Sequence, residues 1–236
     1  MISFIVPAHN EEAWVGRCVA AIRDGAELLG EPHEIIVVDD ASSDATAAIA
    51  REQGAQVLRV EHRQIAATRN AGARQAQGDI LFFVDADTLT NGPAIQSAVR
   101  VLRAGAVGGG CVPRFEGWLP WWFRLTEPLI GPAVRLARFL PSGAFLFCTR
   151  SAFETVGGFD EQYYAAEEVG FVAALKRQGQ FAILTETVVT SGRKMRAHSF
   201  LTLARLTARL VFLGPRGVRS RKGLEYWYKP AREKTK

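Results

Sequence analysis

Four short runs rich in β-branched and aromatic residues, ISFIVP, EIIVVDD, AQVLRV and DILFFVD, recur between Ile2 and Asp85, and each is followed by a stretch of helical periodicity. This alternation is the βαβ signature of a mostly parallel sheet, and it places the chain in the α/β class. The runs are apolar throughout, as expected of strands covered by helices on both faces. In such sheets ligands bind outside the carboxyl ends of the strands. The residues at those ends are therefore the ones to read for chemistry.

Three of the four runs end in polar or acidic residues: His9-Asn10-Glu11, Asp39-Asp40 and Asp85-Ala86-Asp87. A sheet that brings Glu11, Asp39, Asp40, Asp85 and Asp87 to one edge concentrates negative charge, which is unfavourable unless a cation or hydrogen-bond donors share the site. Asp85 and Asp87 stand two residues apart where a buried strand emerges, and they can give oxygen ligands to Mg²⁺ or Mn²⁺, with diphosphate oxygens and waters completing the shell. Asp39 or Asp40 is placed to accept a hydrogen bond from a nucleobase N–H or a ribose hydroxyl, whereas Asp44 or Ser43 reads as the cap of a helix starting near Thr46.

In ATRNAG, Arg69 lies early in a helix, where it can pair with a neighbouring carboxylate and hold a nucleotide pocket in shape. Glu167 and Glu168 open a helix that runs to Gln178, with Gly179 as its stop. They either complement the helix dipole or supply a general base for an acceptor hydroxyl. Thr190 to Arg196 reads as a flexible basic segment whose Arg193 and Lys194 suit a departing diphosphate. His198 is a further candidate metal ligand, although a single histidine equally serves structure.

The chain has 236 residues, enough for one α/β domain with an appendage. Hydrophobic residues make up 48% and charged residues 22%, which excludes a disordered chain. The net charge of +5 is unevenly spread: from Arg193 onward there are 13 Lys/Arg against 2 Asp/Glu. A tail of that kind suits phosphate groups, anionic lipid or nucleic acid. Cys18, Cys111 and Cys148 lack any CxxC spacing and read as small buried hydrophobes of a reducing compartment. The N-terminal MISFIVPAHNEE lacks the basic and apolar pattern of a signal peptide. The apolar stretch between Arg138 and Arg150 is eleven residues long, short of the ~20 that span a bilayer. Residues 116–140 break the rhythm with three tryptophans and three prolines, and form an excursion against the domain that meets lipid, packs beneath itself or makes a dimer seam.

Taken in order, IVPAHNEE, VVDDASSDAT, ATRNAG, GDILFFVDADT and GGFDE followed by Glu-Glu resemble the motifs of family 2 glycosyltransferases, from Ile2 to about Arg196. The resemblance implies a GT-A fold, a Rossmann-like mostly parallel sheet flanked by helices. It further implies that Pro7, Ala8, Asn10, Glu11 and Asp39 or Asp40 line the nucleotide, that Asp85 contacts ribose or metal, that Asp87 ligates the metal, and that Glu168 is the base. Many members have Glu-Asp where this chain has Glu-Glu. The expected division is a GT-A domain over 1–196, with nucleotide and acceptor halves meeting near residue 112, and a basic amphipathic helical appendage over 197–236.

The implied reaction is inverting transfer of a sugar from a UDP- or GDP-sugar to a hydroxyl or lipid-phosphate acceptor in cell-envelope synthesis. The expected setting is cytoplasmic, with peripheral contact to the anionic inner face of the plasma membrane and no nucleic-acid partner. A nucleotide-sugar-binding protein without catalysis is the alternative, against which the intact Asp85, Asp87 and Glu168 argue. The absence of GxGxxG after the first strand speaks against a dehydrogenase.

Overall fold

A computed structural model of the chain describes residues 1–137 and 143–197. The expected C-terminal appendage from His198 onward lies outside the described residues. In chain order the elements are β1 (Ile2–Ala8), α1 (Val15–Glu27), β2 (His33–Asp40), α2 (Thr46–Glu52), β3 (Gln56–Val60), α3 (Ile65–Gln75), β4 (Ile80–Val84), β5 (Thr88–Leu89) and α4 (Gly92–Arg103). There follow β6 (Gly108–Gly110), β7 (Arg114–Glu116), α5 (Trp121–Ala137), β8 (Phe145–Thr149), α6 (Arg150–Val156), α7 (Glu167–Gln178), β9 (Phe181–Ile183), β10 (Val189–Ser191) and α8 (Arg193–Ala197).

The main sheet has seven strands in the order β3-β2-β1-β4-β8-β6-β9. Pairing is parallel from β3 to β4 and between β6 and β9, while β8 runs against both neighbours. A second sheet of three short strands, β5-β10-β7, lies at the end of β4. The chain moves from β1 outward to β2 and β3 and then returns to add β4 on the other side of β1. The strand order thus reverses between β1 and β4, the point at whose carboxyl ends sheets of this kind bind ligands.

Alternate side chains of the same strands feed two cores, which is why the runs look apolar throughout. Phe4, Val6, Phe82, Val84, Phe145 and Phe147 face one side, with residues of α1 and α4. Ile5, Leu81, Phe83, Leu146 and Cys148 face the other, with residues of α3, α6 and α7. Each fully buried aromatic or aliphatic side chain contributes roughly 1.5–3 kcal/mol. On the second side the Phe83 ring meets Phe159 edge-on at 4.9 Å and Phe171 at 6.0 Å, which fixes the turn at Phe159 and α7 against the sheet. The edge strand β3 departs from the expectation, because its residues are only half-buried or exposed. The three cysteines are free and buried. Burial pushes the Cys111 thiol up to about 12 and raises Cys18 and Cys148 further, which keeps all three in the neutral, unreactive form.

Candidate active site

At the carboxyl ends of β1 and β2, the loops that follow are tied to one another by side-chain to backbone bonds. After β1, the amide of Asn10 donates to Ser42 Oγ (2.9 Å) and that of Glu11 to Thr46 Oγ1 (2.8 Å), while Asn10 Oδ1 accepts from the amide of Ser43 (2.8 Å). The N-cap of α2 is Ala45, which makes no side-chain bond; Asp44, one residue earlier, accepts from the Thr46 amide at 3.0 Å. His9 Nδ1 lies 2.6 Å from the carbonyl oxygen of Asp40 and so carries its proton there. The loops after β1 and β2 therefore form one braced wall.

Backbone strain gathers in the same place. The four non-glycine residues with left-handed backbone among the described residues are Asn10, Ala41, Arg63 and Ala166. They follow β1, follow β2, precede α3 and precede α7. Each such residue costs on the order of 1 kcal/mol, and strain of this kind concentrates at functional sites.

The two adjacent carboxylates of β2 do different things. Asp40 accepts from the amides of Arg63 (2.7 Å) and Gln64 (3.1 Å) and from Thr68 Oγ1 (2.8 Å). It is a remote cap for α3, whose own N-cap residue, Gln64, makes no side-chain capping bond. Asp39 is also buried, but it accepts only a 3.3 Å bond from the Ser42 amide and pairs at 3.5 Å with the exposed Arg59. Of the two, Asp39 keeps the greater capacity for a ligand.

The centre of the site is Arg69, on the first turns of α3 and 3% exposed. Its Nη1 donates to Glu167 Oε1 at 2.5 Å and its Nη2 to Asp85 Oδ1 at 2.8 Å. Its guanidinium also lies 5.2 Å above the Phe159 ring. Burial works against the charge, but Asp85 and Glu167 outweigh it and hold the proton more firmly than usual. One side chain thus joins the end of β4 to the start of α7.

Beside Glu167, the half-buried Glu168 has its carboxyl pushed up to about 8, first by burial and then by the charge of Glu167, with Arg69 pulling the other way. Both glutamates lie in the first turn of α7, where the helix dipole favours negative charge.

Asp87 is held by the small sheet. Its Oδ1 lies 3.4 Å from Thr190 Oγ1, and its backbone oxygen accepts from the Ser191 amide. Arg193 pairs with Asp87 at 3.3 Å and also with Glu11. The basic segment expected to be flexible is therefore strand β10 followed by the short helix α8, with Arg193 already drawn over two acidic residues. Lys194 lies on α8, but its side chain is outside the described part, as is His198. Among the described residues, no group of three or more His, Cys, Asp or Glu stands ready for a metal.

The profile of Glycosyl transferase family 2 matches residues 3–157, about two thirds of the chain. The chain belongs to glycosyl transferase family 2. Among curated members it is similar to an undecaprenyl-phosphate 4-deoxy-4-formamido-L-arabinose transferase of Pseudomonas paraeruginosa, 32% identical over 54% of this chain and 40% of that one. It is also similar to a 4,4'-diaponeurosporenoate glycosyltransferase of Staphylococcus haemolyticus, 36% identical over 42% of this chain and 28% of that one. The chain thus matches less than half the length of these relatives. Among solved structures, the mannosyltransferase PcManGT from Pyrobaculum calidifontis, in complex with GDP-Man and Mn²⁺, superposes with a TM-score of 0.65 and 23% identity, over 88% of this chain and 63% of that one. The glucosyl-3-phosphoglycerate synthase of Mycobacterium tuberculosis, bound to Mn²⁺ and UDP, gives 0.62 and 21%, over 92% and 80%. These structures bear out the fold.

In this family 2 chain, then, Arg69 joins Asp85 to Glu167, Arg193 joins Glu11 to Asp87, and Pro7, Ala8 and Asp39 stand at the carboxyl ends of β1 and β2 beside the Asn10 loop. Two residues that carry the site had no assigned role in the sequence reading. Asn70 clamps the turn at Phe159, accepting from the Phe159 amide and donating to the Phe159 carbonyl oxygen and Glu161. Gln64 donates to the carbonyl oxygens of Glu161 and Tyr163. Both partners lie about ninety residues away, beyond the reach of any local signal. A cleft of about 620 Å³ beside this turn, lined by Asn70, Arg74, Phe153 and Phe159 among others, includes none of the carboxylates of the site.

Proposed function

We propose that this protein transfers a glycosyl group from a nucleoside diphosphate sugar, with inversion, to an acceptor whose hydroxyl is deprotonated by Glu168. The observation that carries the reading is the buried bridge from Asp85 through Arg69 to Glu167, which brings donor-side and acceptor-side elements to one crevice and leaves Glu168 as the carboxylate with raised basicity. A proton acceptor works best with a pKa near the working pH. Paired with Arg69, Glu167 acts as a positioning residue.

The residues present suit a divalent cation: Asp85 uses one oxygen on Arg69 and its side chain is one-third exposed, and Asp87 faces the same crevice beside a cationic Arg193. Asp85 and Asp87 would hold Mg²⁺ or Mn²⁺ together with the donor's phosphate oxygens, and the metal supplies charge neutralisation of the departing diphosphate. Arg193, released from Asp87 and Glu11, would turn to the diphosphate. Asp39, with the backbone of residues 7–10, is the nucleoside side of the crevice. The acceptor oxygen attacks the anomeric carbon, the bond from that carbon to the phosphate oxygen breaks with its electron pair on the nucleoside diphosphate, and the acceptor proton passes to Glu168.

The names of the relatives favour a second acceptor class, a lipid phosphate. Such an oxygen is already ionised near neutral pH, so Glu168→Gln would spare transfer to a phosphate and abolish transfer to a hydroxyl.

A thermal-shift screen of UDP- and GDP-sugars with Mn²⁺ tests the donor side. One donor should stabilise the wild type by mass action, by about 2.7 kcal/mol at a hundredfold excess over its Kd, and Asp87→Ala should remove the metal-dependent part of that shift. A shift that survives Asp87→Ala unchanged contradicts the placement of the cation.

A further inference from the structure

Among its described side chains, helix α5 meets the body through one face. Leu119 before it, and Phe123 and Val134 within it, are buried, and the Phe123 ring meets Phe115 edge-on at 5.1 Å. Four large apolar side chains on or beside it are left uncovered: Trp121 is 72% exposed, Leu125 69% and Leu129 68%, with Trp118 just before the helix at 67%. Positions 121, 125 and 129 are four apart, so these side chains form a single stripe along the helix. Exposed tryptophan and leucine in a contiguous row are unusual on a soluble surface and mark a contact site.

We propose that the Trp118, Trp121, Leu125 and Leu129 face of α5 seats this protein on an anionic lipid bilayer. Charge decides for lipid over a protein partner. The stripe holds no acidic residue, and the exposed Arg124 adjoins it. Arg196 places its Nη1 on the carbonyl oxygens of Glu116 (3.1 Å) and Trp118 (3.3 Å). The chain therefore leaves the described structure, one residue later, beside the tryptophan end of the stripe. The 39 residues that follow carry ten Lys/Arg against two Glu. An apolar row with a basic flank is the pattern of an interfacial helix, in which tryptophan rings take the headgroup level and each nearby cation adds about 1 kcal/mol on an anionic surface. A second copy of the chain is the weaker occupant, because four side chains offer a few hundred Å², short of the roughly 800 Å² per partner of a stable interface.

Arg196 and Arg193 share α8, and Arg193 reaches Glu11 and Asp87. The tryptophan end of the stripe is thereby one short helix away from Glu11 and Asp87. On the transferase reading, a protein seated this way meets acceptors that are themselves lipid-linked; bilayer binding itself does not depend on that reading.

The test is co-sedimentation of the full chain with phosphatidylcholine vesicles containing about a third phosphatidylglycerol, comparing wild type with Leu125→Glu/Leu129→Glu. The wild type is expected to bind these vesicles and to bind pure phosphatidylcholine poorly. The double variant should lose at least about tenfold in partition coefficient, and Leu125→Trp should gain. Donor thermal shift with Mn²⁺ should be unchanged in both, which separates failure of bilayer docking from failure of the transferase reading. The proposal is overturned if the double variant binds as the wild type does, if the wild type ignores anionic vesicles, or if light scattering without lipid shows a wild-type dimer that the double variant abolishes.

Discussion

Replacing Arg69 by Met would expose how much of this site depends on one buried cation. The substitution keeps the apolar stem and removes a guanidinium that holds Glu167 at 2.5 Å and Asp85 at 2.8 Å. Glu167 is 3% exposed and would be left charged in the interior beside Glu168. The Asp85 side chain, one-third exposed, would recover water. Breaking a buried pair by deleting one partner costs about 3–5 kcal/mol, against about 0–1 kcal/mol for an exposed pair. In a chain of this size each kcal/mol moves Tm by about 2–4 °C, so Arg69→Met should melt roughly 6–20 °C lower. Thermal melts and urea titrations near neutral pH measure it. Adding Glu167→Gln removes the stranded charge, so the double variant should recover part of the loss, with a coupling above about 1 kcal/mol. A cost within about 1 kcal/mol for Arg69→Met, or no rescue by Glu167→Gln, would refute the claim that Arg69 compensates buried charge.

Two further outcomes follow from the same geometry. Glu167→Gln alone removes the charge that, after burial, raises Glu168; the Glu168 pKa should fall, and the ascending limb of the pH–rate profile should move to lower pH, whereas an unmoved limb would place the titrating base elsewhere. Gly72→Ala should destabilise by at least about 1–3 kcal/mol in urea titration, because a Cβ there would stand 2.4 Å from Ile5 Cγ2 and 2.7 Å from Val38 Cγ2, forcing α3, which carries Thr68, Arg69 and Asn70, away from the sheet.

Much of the fold was legible because each of the first four strands is short, apolar and separated from the next by a helix. What was not legible lacks a local signal. Strand β6 consists of Gly108, Gly109 and Gly110, residues of low strand propensity. It is set by its neighbours, since a Cβ on Gly109 would lie 2.4 Å from the Phe147 ring. The reversal of β8 and the two- and three-residue strands β5 and β7 likewise follow from pairing, not from pattern.

At the site, strand-end position alone brought out Glu11, Asp39, Asp40, Asp85 and Asp87, and Glu167 and Glu168 stood out at a helix start. The sequence could not divide the work within each pair. Asp40 spends its oxygens on the start of α3 and Glu167 spends one on Arg69, through partners 23–28 and 98 residues away. Thr190 to Arg196 reads in the sequence as one flexible basic segment; in the structure Thr190 and Ser191 pair within β10 and Arg193 opens α8.

The central claim is that Glu168 takes the acceptor proton over a donor held at Asp85 and Asp87. Release of nucleoside diphosphate from the best-stabilising sugar donor, with Mn²⁺ and water as the acceptor, measures it without knowledge of the natural acceptor. Glu168→Gln should slow release by about 10²–10⁴-fold while its donor-induced thermal shift stays at the wild-type value. Release at the wild-type rate from that variant would contradict the account.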